Sequence, residues 1–333
     1  MIKSILIELI YYIYSIYIMD YFKTKTVDDL SKLHDMAFSN ASKATKVTFL
    51  QSMKRIEKLY NKPLQSLQLS FIDNPEQFLE ILNNSKYSKN TTLTTITNIL
   101  KLLKMIDAPL IIYNKWLNIL KEKTDERTKN DDDILKKKLK VLMEWTDIRN
   151  MVNTNMSKYI NESNIDMDIF QNFLILALFT TQIPVRISNY VNMKVVEDDS
   201  YVDDKSNFLV INDDGYKFVF NKYRTSHFLG KKILFINEQE LQYLIDKWLT
   251  KYNRASNNFL IVSEKNKRPM NGKQIARCLE EATEEIFGSP LNVDNLRASY
   301  MKHIAELDPD FQDKLDIANI LGYSTTDVLD KHS

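Results

Sequence analysis

Apolar residues in the first third of the chain recur every three or four positions, the spacing of helices that bury one face. Four segments carry this pattern, over 47–60, 74–82, 88–105 and 111–120. Thr26–Asp29 is predicted to begin an earlier helix. Because no glycine precedes Gly215, short polar turns are expected between the helices. Residues 19–122 are therefore predicted to form a compact bundle of four or five helices.

Beyond residue 138 the hydrophobic pattern becomes mixed. The apolar segments Leu139–Val152 and Met167–Thr180 predict two buried helices. Four short stretches have the alternating or continuously apolar pattern of strands, over Tyr190–Val196, Phe208–Ile211, Tyr216–Asn221 and Lys232–Phe235. Helical spacing then returns over Glu238–Tyr252, Gly272–Ile286, Asn292–Leu307 and Leu315–Leu321. The predicted fold class is α+β, mainly α with a small antiparallel β-sheet.

The most charged stretch, residues 123–138, carries few apolar residues and is predicted to be a linker. It divides a chain of 333 residues, a length that suits two domains, into a helical domain over 19–122 and a mixed domain over 139–333. The net charge is +1, so bulk charge does not indicate a nucleic-acid partner. A basic cleft balanced by acidic loops elsewhere is compatible with this value.

The first eighteen residues are apolar but marginal for a membrane span, which needs about 20 such residues. They also lack the basic region and the cleavage site of a signal peptide. Residues 1–18 are predicted to be an extension translated ahead of a true start at Met19, with a membrane anchor as the alternative. A membrane is not an expected partner. The single cysteine, Cys278, excludes a disulfide within the chain and is interpreted as an inert core thiol.

Two arginines stand in apolar settings far apart in the sequence, Arg186 in IPVRIS and Arg297 in NLRASY. A guanidinium group offers paired donors in one plane, matches two phosphate oxygens and stays charged at any ordinary pH. The segment between them includes the basic hairpin FVFNKYRTSHFLGKKILF. We predict that the two arginines clamp one phosphate. The alternatives are structural, with Arg186 at a helix end and Arg297 paired to Asp294.

The order of these elements resembles the catalytic domain of the tyrosine recombinases, the phage-integrase family, over Val141 to Ser333. A helix leads to the first arginine, a small sheet follows, and the second arginine precedes the turn LGYS. The resemblance implies a helical core-binding domain ahead of the catalytic domain, and a viral or mobile-element source. It also implies double-stranded DNA as partner, a homotetramer on two DNA sites, and neither cofactor nor metal. The implied reaction is transesterification at a phosphodiester.

The family resemblance also gives roles to individual residues. In the basic hairpin, a cation protonates the leaving 5′ oxygen, and Lys222 and Arg224 compete for that place. Lys231 and Lys232 are expected to contact backbone phosphate or to solvate the hairpin. Tyr323 takes the place of a second phosphate hydrogen-bond donor, which is usually His or Trp.

Further positions also depart from the family pattern. Asn189 replaces the acidic residue that orients the first arginine, and Asp294 stands where the family carries His. The most consequential departure is His332, because the family has its nucleophilic Tyr at that position. Strand cleavage is therefore in question. The alternatives to a recombinase are a scaffold that binds DNA without cleaving it and an enzyme of the type IB topoisomerase kind.

Overall fold

A computed structural model of the chain describes residues 32, 34–38, 43–63, 72, 74–139, 142–252, 258–263, 265 and 267–323, and for 129–139 it describes the main chain. The helix predicted to begin at Thr26–Asp29 lies outside the described residues. Residues 1–18 and His332 also lie outside the described residues.

The chain divides into two compact units, and the division falls between Leu135 and Lys136. The first unit is helical, with α1 (Lys43–Tyr60), α2 (Pro75–Asn83), α3 (Lys89–Met105) and α4 (Leu110–Leu139). Their apolar faces form one core that includes Phe49, Phe78 and Trp116. The Trp116 indole Nε1 donates to the carbonyl of Ile72 at 3.0 Å, so its one polar atom is satisfied inside the core.

Residues 123–138, predicted to be a linker, belong to helix α4, which continues without a break to Leu139. The segment contains neither glycine nor proline. Its lysines, its glutamate and its arginine are good helix formers, so a highly charged sequence is compatible with a helix. The domain limits at 19–122 and 139–333 stay predictions.

The second unit is mixed. Its helices are α5 (Trp145–Asn161), α6 (Met167–Thr180), α7 (Ile187–Tyr190), α8 (Ser226–Leu229), α9 (Gln239–Lys247), α10 (Gly272–Phe287), α11 (Val293–Leu307) and α12 (Phe311–Leu321). Its strands are β1 (Lys194–Val196), β2 (Phe208–Asn212), β3 (Gly215–Phe220) and β4 (Lys232–Phe235). The predicted fold class, mainly α with a small sheet, is confirmed.

The four strands form one sheet in the order β1-β2-β3-β4. β2, β3 and β4 are antiparallel neighbours, while β1 pairs with β2 in parallel, so the sheet is mixed rather than wholly antiparallel. Phe220 at the end of β3 pairs with Lys232 at the start of β4. That register fixes where the connecting segment 221–231 leaves and re-enters the sheet.

Two predicted elements of the second unit differ from the structure. Tyr190–Val196 was predicted as one strand, but Tyr190 ends the short helix α7 and the strand is Lys194–Val196. The Tyr190 ring is buried against Phe179 and Phe218, and its hydroxyl donates to the Leu178 carbonyl. Tertiary packing therefore overrides the strand preference of an aromatic residue. The helix predicted over Leu139–Val152 is Trp145–Asn161.

Helix α6 forms the centre of this unit, because ten of its side chains, from Phe170 to Thr180, are buried. Asp166 begins the helix by accepting from the main-chain nitrogens of Asp168 and Ile169. Its C-terminal end leads through residues 181–185 directly to Arg186, so the best-buried helix of the unit supports the first candidate site residue. No helix among the described residues is both long and apolar enough to span a membrane.

Candidate functional site

The Arg297 side chain is held from two directions inside the second unit. It is only 2% exposed. Its Nη1 donates to the Pro184 carbonyl at 2.7 Å, and its Nη2 donates to the Leu321 carbonyl at 2.9 Å. These bonds join α11 to the loop before Arg186 and to the end of α12. Arg297 is therefore both a fixed cation and a connection between three segments.

Arg186 lies at the start of α7 with an extended main chain, and its side chain is half-buried. Its Nε atom is buried and has no hydrogen-bond partner among the described residues. Burial is the first cause that lowers the pKa of Arg186, and the charge of Arg297 is the second. An arginine keeps its charge even so. The unpaired donor is buried, and it belongs to a cation that a second cation repels. Such an arrangement favours the binding of an anion.

The structure brings the two arginines close together, and the Tyr323 ring lies near both of them. The Arg186 Cζ is 5.6 Å from the centre of the Tyr323 ring, and the Arg297 Cζ is 5.4 Å from it. Gly322 ends α12 in the left-handed conformation, and the Tyr323 nitrogen donates to the Ala318 carbonyl at 2.8 Å. That helix end places the Tyr323 ring against both guanidinium groups.

The carboxyl end of α12 also accepts hydrogen bonds from other segments. The Lys232 Nζ donates to the Asn319 carbonyl, and the Thr225 Oγ1 donates to the Gly322 carbonyl at 3.3 Å. Arg297 binds the Leu321 carbonyl between them. The carbonyl end of a helix carries partial negative charge and favours cations. It therefore gathers Lys232 and Arg297 although both are positive.

Lys222 and Arg224 lie in the segment 221–231 between β3 and β4, and both are exposed. Arg224 is near enough for its charge to lower the pKa of Arg186. The main chain at Lys222 is held by buried Asn207, whose amide donates to the carbonyls of Lys222 and Asn189 at 2.8 Å each. Asn207 thus connects this segment to the helix that follows Arg186.

The remaining candidates are Asp294, Asn189 and His332. Asp294 is exposed in the first turn of α11, and its negative charge raises the pKa of Arg186 slightly against the larger lowering effects. The ion pair with Arg297, which was the structural alternative, is not formed among the described residues, and the two described bonds of Arg297 go to main-chain carbonyls. Asn189 is buried. His332 lies outside the described residues, and its role stays a prediction.

Two residues of this site were not predicted from the sequence. Lys232 was expected at most to contact backbone phosphate or to solvate the hairpin, yet its amine is half-buried beside Arg297. Asn207 carried no sequence signal, because a single Asn before a strand is usually read as part of a turn. Among the described residues, no group of three or more His, Cys, Asp or Glu side chains is arranged to hold a metal ion.

Arg297→Ala is expected to lower the free energy of unfolding by about 3 kcal/mol, because it leaves two buried carbonyls without donors. Arg277→Ala is the matched control, since the Arg277 side chain is 81% exposed and pairs with Glu281 on the same helix; it should cost less than about 0.5 kcal/mol. Urea unfolding of the full chain reports the difference through Trp145 and Trp248, which lie in the same core as Leu321. Equal midpoints for the two variants would contradict a structural role for Arg297.

The structure is α+β, and in its second unit Arg186, Arg297, Lys232 and Tyr323 lie close to one another. No family model matches the sequence, and no curated protein matches it. Among solved structures, the chain is similar to the crystal structure of XerA recombinase, with 14% identity, 91% of each chain covered and a TM-score of 0.38. The functional interpretation therefore rests on the geometry around Arg186 and Arg297.

Proposed function

We propose that this protein binds duplex DNA through its phosphates and acts in site-specific DNA recombination. The observation that carries the proposal is the convergence of Arg186 and Arg297, 111 positions apart in the sequence, on one Tyr323 ring. Charge-assisted hydrogen bonds from guanidinium groups are among the strongest contacts that a protein makes with phosphate. The unpaired Nε of Arg186 is available for such a bond.

The proposed chemistry is transesterification at a phosphodiester, in which an attacking oxygen bonds to phosphorus while the bond from phosphorus to the 5′ oxygen breaks and that oxygen leaves with a proton. Charge grows on the remaining phosphate oxygens during this exchange, and fixed donors around them stabilise it. Arg297 suits this task because its two bonds to main-chain carbonyls hold its guanidinium in place before DNA arrives. The Tyr323 hydroxyl is the proposed additional donor. The proposal does not extend to the number of subunits, for which the family resemblance implies four on two DNA sites.

A second candidate function is DNA binding without strand cleavage. The feature that favours it is His332, which stands where the resembled family has its nucleophilic Tyr. Both candidates share the phosphate site and differ in whether a covalent protein–DNA link forms. A binding experiment therefore tests the shared site, and a trapping experiment separates the two functions.

Arg186→Ala is expected to weaken duplex DNA binding roughly 10- to 100-fold, because a charged donor that binds phosphate typically contributes about 1.5–3 kcal/mol. Fluorescence anisotropy of a labelled duplex measures the change, and Arg277→Ala serves as the control for the loss of one positive charge. The unfolding midpoint of Arg186→Ala should stay close to that of the unaltered chain, since no described hydrogen bond depends on its Nε. If the two variants bind DNA equally well, Arg186 is not a phosphate ligand.

A further inference from the structure

The Lys232 amine is held in place by two groups that leave it charged. Its Nζ lies 4.2 Å from the centre of the Tyr223 ring, and it donates to the Asn319 carbonyl. The Tyr223 ring is itself fixed, because its hydroxyl donates to the Gly230 carbonyl at 2.7 Å. An aromatic face and a carbonyl oxygen both favour an ammonium group without neutralising it.

Among the described residues, this ammonium group uses only part of its donor capacity and has no counter-ion. It carries three N–H bonds, and one of them goes to Asn319. In the described part of the chain, no carboxylate forms an ion pair with Lys232, while Arg297 is close enough for its charge to lower the pKa of Lys232. A half-buried cation next to another cation is unfavourable unless an anion binds to both.

We propose that Lys232 is the lysine of the anion site that Arg186 and Arg297 form, and that it makes the binding of DNA phosphate dependent on pH. This inference rests on the proposed function. It gives Lys232 the place in the site for which the sequence favoured Lys222 or Arg224. Both of those side chains are exposed on the segment that joins β3 to β4, whereas the position of Lys232 is fixed by its pairing with Phe220 in the sheet.

The direction of the pH dependence follows from the environment of the amine. Burial, and then the charge of Arg297, lower the pKa of Lys232 to about 8. Phosphate binds the charged form, which predominates below that value and is lost as the pH rises through it. Affinity for DNA should therefore be full near pH 7 and lower near pH 9.

The other groups around Lys232 do not produce the same profile. Burial raises the pKa of Tyr223, which moves its titration further above this window. Arg297 and Arg186 keep their charge throughout, and Arg224 does so as well. Asp294 affects the pKa of Arg186, whereas the causes that lower the pKa of Lys232 are burial and the charge of Arg297. Tyr323 lies near Arg297, and exposed His227 lies on the segment between β3 and β4, so Tyr323→Phe and His227→Gln serve as additional controls.

The test measures the affinity for a labelled duplex between pH 6.5 and 9 at fixed ionic strength. The unaltered chain should lose roughly fivefold in affinity over this range, because one charged phosphate contact typically contributes roughly tenfold and a pKa of about 8 leaves roughly a tenth of the amines charged at pH 9. Lys232→Met should bind roughly tenfold more weakly at pH 7 and show no further loss at pH 9. Lys232→Arg, which keeps its charge, should retain its affinity at pH 9. Lys222→Met and Lys231→Met are the matched controls and should keep the pH dependence of the unaltered chain.

The possible outcomes separate this inference from the proposed function. If the unaltered chain binds DNA and Lys232→Met binds equally well with the same pH profile, Lys232 does not belong to the site, while DNA binding stands. The same conclusion follows if Lys222→Met, and not Lys232→Met, abolishes the pH dependence. If the unaltered chain does not bind duplex DNA at low salt, the proposed function fails, and the inference fails with it. If Lys232→Met does not fold, the test rests on Lys232→Arg, which keeps a cation at this position and should retain its affinity at pH 9.

Discussion

The affinity for duplex DNA is expected to fall about a thousandfold as the salt concentration rises from about 50 to about 200 mM. Each phosphate that a protein neutralises releases condensed counterions, so the logarithm of affinity falls with the logarithm of salt in proportion to the number of contacts. A fall of this size requires about six contacts. Arg186, Arg224, Lys232 and Arg297 lie in or next to the site, and Lys222 and Lys231 lie on the same segment between β3 and β4 as Arg224, so six cations are proposed to contact phosphate.

The low net charge makes this measurement informative. With 45 basic and 44 acidic residues, the whole chain exerts little long-range attraction on DNA, so a steep salt dependence must come from local contacts. The measurement is anisotropy of a labelled duplex over a series of salt concentrations, with Arg186→Ala and Lys232→Met expected to reduce the slope by about 1 each. If the affinity for DNA changes less than about tenfold over this range of salt concentrations, the protein makes only about two phosphate contacts. That number is too small for the proposed site.

Hydrophobic periodicity predicted the described helices and strands best where one pattern dominates. Helix α6 and strand β4 have the predicted limits, Met167–Thr180 and Lys232–Phe235. The apolar run of α6 is long enough to be helical and is capped by Asp166. The predicted ends of an element were wrong where side-chain preference and packing disagree. An example is Tyr190, whose ring enters the core from a helical turn. Periodicity also gives no information on the parallel pairing of β1, which depends on chain direction in space.

The candidate site could be predicted in part, because the residue type limits the choice for Arg186 and Arg297. An arginine in an apolar setting needs a partner, and two of them at a distance in sequence suggest a shared anion. The site lysine could not be chosen in the same way. Lys222, Lys231 and Lys232 stand in one basic segment, and only burial distinguishes the Lys232 amine. Burial depends on the α12 carbonyls, which come some ninety positions later in the chain.

The structural role of Arg297 and its proposed role as a phosphate ligand are compatible. Its bonds to the Pro184 and Leu321 carbonyls stabilise the fold, and the same bonds fix the guanidinium beside Tyr323. A catalytic group is effective when the surrounding structure holds it in place before the substrate binds. Loss of DNA binding in Arg297→Ala would therefore combine two effects, and Arg186→Ala is the cleaner test of phosphate recognition.

His332→Tyr is expected to increase covalent protein–DNA adduct formation on the order of 10³-fold or more. In the resembled family a tyrosine at this position attacks phosphorus, and the unaltered chain should bind DNA with little or no adduct. A phenol oxygen forms a phosphotyrosyl ester, whereas imidazole has a different reach and a different balance as a leaving group. The gain depends on the phosphate being held by Arg186 and Arg297, so adding Arg186→Ala to His332→Tyr should remove most of it.

The measurement is trapping on a pool of nicked duplexes of random sequence, from which the cleaved strand diffuses away and leaves the protein attached. His332→Phe is the matched control, because it has the ring of tyrosine without the hydroxyl and should give no adduct. An abundant, acid-labile adduct with the unaltered chain would contradict the prediction and indicate a phosphohistidine. An acid-stable adduct on Tyr323 would mean that the hydroxyl of Tyr323, whose ring lies near Arg186 and Arg297, is the nucleophile. His332 would then not occupy the nucleophile position.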